Sequence, residues 1–155
     1  MSRLVAVIPP ALAACGLVVA IDQGSKAIAT SALAPGERSE VLPGLAFENV
    51  RNKGVAFGLA GDVSTLLIGA TIAALLGVLV FLAVRGRAGW TLWLPAALLV
   101  GGALGNLADR ARQGSVTDFI DLPLWPTFNL ADVAIVAGVI LLVLLPDGDD
   151  PEDPG

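Results

Sequence analysis

The chain has 155 residues, a sequence mass of 15.7 kDa and a formal charge of −5. Apolar residues make up 55% and charged ones 15%, with a mean hydropathy of +0.81. Soluble domains carry about 25% charged residues, and so small a chain has too much surface for its volume to hide this much apolar material. That excludes an ordinary soluble domain, and nine basic against fourteen acidic residues provide no nucleic-acid surface. Five of the acids (Asp147, Asp149, Asp150, Glu152, Asp153) fall within the last nine residues, so 147–155 reads as a disordered acidic tail and 1–146 is neutral. There is no histidine, which removes an imidazole base, a Ser-His-Asp triad and a histidine-ligated metal. The single cysteine, Cys15, removes an internal disulfide and a thiolate cluster.

Four apolar segments follow in chain order. The first covers about 4–29, with Pro9-Pro10 near its start and Asp22 and Lys26 near its end. Within it, Leu12-Ala13-Ala14-Cys15 has the form of a lipobox, but the apolar run continues through Ile21, where a processed chain turns polar. A retained span is therefore expected, with Cys15 as a small apolar residue. The second segment, 63–84, has 22 residues without a charge. The third and fourth, about 90–108 and 130–145, are short of the roughly 20 residues that cross 30 Å of hydrocarbon and would need flanking polar residues at the boundary. Four such segments in so short a chain predict one all-α integral membrane unit over 1–146, with four transmembrane helices. Turn signals at Pro35-Gly36 and Pro43-Gly44, with strand-like runs at 45–50 and 54–57, add a small β-sheet on the outer face.

Helix parity gathers the polar residues at one membrane face. Asp22 and Lys26 come late in the first segment, and Asn106, Asp109 and Arg110 end the third. Asn129 and Asp132 open the fourth, Asn52 precedes the second, and Asp118 lies between the third and fourth. Headgroup contact accounts for long basic side chains such as Arg112 and Lys53, which snorkel. Short-stemmed aspartates in hydrocarbon are costly and mark function. Without histidine, such acids allow three chemistries. Two carboxylates can share a proton around a water, several can hold Mg²⁺ over a lipid phosphate, or they can carry protons or ions. Orientation by arginine count is undecided, although Arg85 and Arg87 in the tight turn 85–89 favour that side as cytoplasmic.

Five blocks resemble the lipoprotein signal peptidase (type II signal peptidase) family. They are Asp22-Gln23-Gly24-Ser25-Lys26, Asn52-Lys53-Gly54-Val55-Ala56-Phe57-Gly58, the run from Gly101 to Arg110 (Gly-Gly-x-x-Gly-Asn-x-x-Asp-Arg), Val116-Thr117-Asp118-Phe119, and Phe128-Asn129-Leu130-Ala131-Asp132. The resemblance implies an aspartic endopeptidase that removes the signal peptide of prolipoproteins just before a diacylglyceryl-modified cysteine. Asp118 and Asp132 would be the catalytic pair, with no metal and no cofactor. It further implies a multi-pass protein of the bacterial cytoplasmic membrane, both termini cytoplasmic and the site near the outer leaflet. Its partners would be prolipoprotein and membrane lipid, not nucleic acid, and one copy would suffice. Asn106, Asp109 and Arg110 are expected to hold substrate backbone and orient the pair. Asn52 and Gly54 belong to the sheet beside the substrate. Asn129 can act as a donor to the pair or as a helix cap. Asp22 and Lys26, four apart, can form a structural ion pair or touch substrate. Gly101, Gly102 and Gly105 allow close helix packing, and Trp90, Trp93 and Trp125 suit the interface.

Overall fold

A computed structural model of the protein describes residues 2–54, 76–77 and 92–145. Helix α1 (Ser2–Ala32) is followed by strands β1 (Arg38–Leu42) and β2 (Leu45–Asn52). Helix α2 (Trp93–Gln113), strand β3 (Val116–Asp121) and helix α3 (Leu130–Leu144) complete the described elements.

Helix α1 is inside-out relative to a helix of a soluble protein. Asp22, Lys26 and Ala29, spaced four and three apart, are buried, whereas Ile8, Leu12, Leu17, Ile21 and Ile28 are exposed. Apolar side chains on the outside and ionic ones within suit a lipid environment. The helix runs three residues past its expected end. Its last turn is closed by Leu33 N–H donating to the Ala29 carbonyl, and the Asn49 side chain donates to the Leu33 carbonyl at 2.9 Å.

The three strands form one open antiparallel sheet in the order β1-β2-β3. Gly44, at φ 84°, makes the tight β1–β2 turn possible. The pairing of Val50 with Asp118 and of Asn52 with Val116 puts Asn52 and Asp118 diagonally across one face. The strand expected at 45–50 is the core of β2; the one expected at 54–57 lies outside the described residues beyond Gly54.

Helix α2 packs between the other two through glycine. Cβ atoms built on Gly101 and Gly105 would strike Val18 and Asp22 of α1, whereas one on Gly102 would strike the Ala131 carbonyl of α3. These glycines therefore serve opposite faces of α2. The helix stops at Gly114, at φ 69°, whose N–H caps the Arg110 carbonyl at 2.9 Å.

The expected all-α, four-helix, multi-pass architecture is corrected. The described residues form three helices and an open three-stranded sheet, and only α1, over Ile8–Ala32, is long and apolar enough to cross a membrane. The apolar run of α2 is broken by Asn106, Asp109, Arg110 and Arg112 in its second half. With 15 residues, α3 extends about 22 Å at 1.5 Å per residue, short of a 30 Å core. Of 63–84, read as a second span, only Leu76 and Gly77 are described, and the turn 85–89 and the tail 147–155 lie outside the described residues.

Candidate active site

The functional candidates meet where the C-terminal halves of α1 and α2, the sheet and the first turn of α3 come together. Asn129 is the N-cap of α3 and is fully buried. Its side-chain oxygen accepts from Asp132 N–H at 3.1 Å, and its own N–H donates to the Asp132 carboxylate at 3.2 Å. This is a capping box with aspartate in the third position. The next orphan donor of that turn, Ala131 N–H, is taken by Oδ1 of Asp22 from α1 at 3.0 Å. A carboxylate at a helix N-terminus is favourably placed against the helix dipole.

Lys26 organises the ionic half of the site. Its Nζ donates to Asp22 Oδ2 at 2.8 Å and to Asn106 Oδ1 at 2.9 Å, and pairs with Asp109 Oδ2 at 3.0 Å. All of these groups are buried. The ammonium has three protons and three acceptors, so the burial cost of its charge is offset by full pairing. Because Asn106 Oδ1 faces the ammonium, its Nδ2 must face the other way, where it donates to Asp132 Oδ1 at 2.8 Å. Asp109 also receives Thr117 N–H at 3.2 Å, tying β3 to α2 one residue before Asp118.

Asp118 and Asp132 are joined through Asn129, whose Nδ2 donates to Asp118 Oδ1 at 2.6 Å while its backbone N–H serves Asp132. Asn52 donates to the other oxygen, Asp118 Oδ2, at 2.8 Å. The orientation of that amide is set by Gly54, whose N–H occupies Asn52 Oδ1 at 2.8 Å from a backbone at φ 75°. Burial pushes the Asp118 carboxyl above its ordinary value; the Asn52 and Asn129 amides oppose this, the Asp132 charge adds to it and the Lys26 charge subtracts.

Nine of the ten residues singled out in the sequence thus form one connected network. The exception is Arg110, whose guanidinium makes no hydrogen bond or ion pair among the described residues, while its carbonyl holds the α2 cap. Asn129 fills both of the roles left open for it. Asp22 and Lys26 form an ion pair. Gln23 was not anticipated, yet its amide reaches Asp22, Asp109 and the Gly105 carbonyl. Its only sequence signal was its place inside the first block, one residue from Asp22.

A helix with an exposed apolar surface, packed by its ionic side into a closed cluster of carboxylates and amides, defines a membrane protein with a buried polar centre. The family described as Signal peptidase (SPase) II matches residues 14–145. The chain is 44% identical over 147 residues to the lipoprotein signal peptidase of Moorella thermoacetica, covering 89% of this chain and 95% of the relative. It is 37% identical over 146 residues to that of Rhodococcus jostii, covering 86% and 73%. A bacterial membrane enzyme solved by the in meso method at 1.9 Å superposes with a TM-score of 0.81 at 33% identity, over 88% of this chain and 91% of the other. The chain belongs to the lipoprotein signal peptidase (signal peptidase II) family.

Proposed function

We propose that the chain removes signal peptides from prolipoproteins, cutting just before a diacylglyceryl-modified cysteine, with Asp118 and Asp132 as its catalytic pair. The observation that carries this reading is the Asn129 bridge, which brings two carboxylates from a strand and a helix to one point. Each is braced separately, Asp118 by Asn52 and Asp132 by Asn106. Like charges at such a point cannot both ionise easily, so the pair holds one proton between them.

One carboxyl of the pair holds that proton and the other is the base. The ionised carboxylate takes a proton from the attacking water as its oxygen adds to the scissile carbonyl carbon, while the protonated one gives its proton to the carbonyl oxygen. The resulting diol collapses in reverse. The first hands its new proton to the leaving nitrogen, the second recovers one from a diol hydroxyl, and the C–N bond breaks. Lys26, Asp22, Asp109 and Asn106 hold the geometry, and Asn52 and Gly54 hold Asp118 on the sheet. One copy of the chain supplies every group.

The test is incubation of the detergent-solubilised protein with diacylglyceryl-modified prolipoprotein, with and without EDTA. Cleavage before the modified cysteine is expected, unchanged by EDTA and lost in Asp118→Asn and in Asp132→Asn. Cleavage retained by either variant refutes the pair, and loss of cleavage in EDTA favours a Mg²⁺-dependent hydrolase. Equal processing of the unmodified precursor removes the lipid requirement. Ion flux through vesicles without any cleavage indicates a carrier.

A further inference from the structure

We infer that Gln23, locked by Arg112, is a positioning residue for the aspartate pair. This rests on the peptidase reading of the site and extends it to two side chains outside that chemistry.

The Gln23 amide makes four polar contacts, three of which cross from α1 to α2. Its Nε2 donates to Asp109 Oδ1 at 3.0 Å, Asp22 Oδ2 at 3.1 Å and the Gly105 carbonyl at 3.2 Å. Its Oε1 accepts from Arg112 Nη1 at 2.7 Å. A guanidinium can only donate, so Arg112 admits just one orientation of the amide, with the oxygen toward solvent and the N–H groups toward the acids.

Asp22 and Asp109 already share the one cation nearby, Lys26. A neutral donor between them holds the two carboxylates together without a second buried charge, at the Asp109 oxygen that Lys26 leaves open and at the Asp22 oxygen that Lys26 also holds. That placement matters for the pair. Asp109 carries Thr117 N–H, next to Asp118, and Asp22 carries Ala131 N–H, next to Asp132. If the amide turned over, Oε1 would oppose two carboxylate oxygens and both anchors would separate. The exposed Arg112 thus acts on the pair through two intermediate side chains, Gln23 and then Asp109 or Asp22.

Two variants test this in the cleavage assay. Gln23→Glu keeps the shape and replaces the donor by an acceptor; kcat is expected to fall about a hundredfold, as for misplacement on the order of 1 Å, with KM held within about twofold. Arg112→Leu, at an exposed position that leaves the fold intact, is expected to lower kcat about tenfold, and Arg112→Lys, which can still donate, to restore it to within about threefold. A wild-type kcat in Gln23→Glu, or equal rates in Arg112→Leu and Arg112→Lys, overturns the inference.

A third measurement is independent of cleavage. The chain has two glutamines, Gln23 and Gln113, so side-chain ¹⁵N labelling resolves both amides. The Gln23 amide protons are expected to exchange slowly with deuterium and to become fast in Arg112→Leu; fast exchange in the wild type refutes the lock. Cleavage surviving in Asp118→Asn would sink the aspartate pair, whereas slow Gln23 exchange in that same variant would leave the Arg112 lock standing.

Discussion

Gly105→Ala is the smallest change that sets the helix packing against the ionic cluster. A Cβ at this position would lie 2.5 Å from Asp22 Oδ2 and 3.1 Å from its Cγ, where ordinary contact begins near 3.4 Å. Asp22 must retreat by about 1 Å, and it is held from both sides, by Lys26 at 2.8 Å and by Ala131 N–H at 3.0 Å. Overpacking of a tight interior costs about 1–3 kcal/mol, and a lost hydrogen bond to a charged group about 1.5–3 kcal/mol. A loss of about 3–5 kcal/mol is expected, read as a lowered midpoint of denaturant unfolding in detergent. Gly16→Ala is the control, because nothing lies within 4 Å of its Cβ. There the helix gains up to about 1 kcal/mol from the better helix former. The double variant Gly105→Ala/Asp22→Ala has room for the new methyl, so its cost should fall well short of the sum of the singles. If Gly105→Ala is tolerated as readily as Gly16→Ala, the close approach of α2 to Asp22 is wrong.

Other perturbations separate the parts of the network. Lys26→Met leaves Asp22 and Asp109 buried without their cation and is expected to cost about 3–5 kcal/mol in the same unfolding assay, with partial recovery in Lys26→Met/Asp22→Asn; no recovery would mean that the charge is not the cause. Asn129→Ser keeps a good cap, so the unfolding midpoint should stay near wild type, but it withdraws the amide from Asp118 and is expected to lower kcat about tenfold or more; a fall in stability with unchanged kcat would reverse the assignment. Asp118 titrates above its ordinary value near 3.8 because it is buried. Folding therefore favours its protonated form, so its contribution to stability is full below about pH 3.8 and is lost as pH rises through the folded-state value. Over that window, Asp118→Asn should show a flatter stability–pH curve than wild type, and an identical curve would contradict the burial of this carboxyl.

Much of the site was legible because charge in an apolar chain has few explanations. Helix parity alone drew Asp22, Lys26, Asn106, Asp109, Asn129 and Asp132 to one end, and the five blocks fixed which of them to compare. The number of spans was not legible in the same way. Apolar runs such as 130–145 meet a hydropathy test, but α3 is too short and α2 is interrupted by the residues that build the site. Strand β3 gave no alternating pattern, since four successive residues from Val116 to Phe119 are buried on both faces. Strand β1 gave none for the opposite reason, being exposed throughout. Gln23 carried neither charge nor periodicity, and only its three-dimensional neighbours distinguish it.

The double use of Asn129 has a consequence for the order in which the site comes together. The residue that starts α3 also bridges Asp118 and Asp132, so the two carboxylates gain their common partner only when that helix has begun. Fraying of that first turn would release both acids from their common partner. Cap and bridge are gained and lost together, because one buried residue serves both.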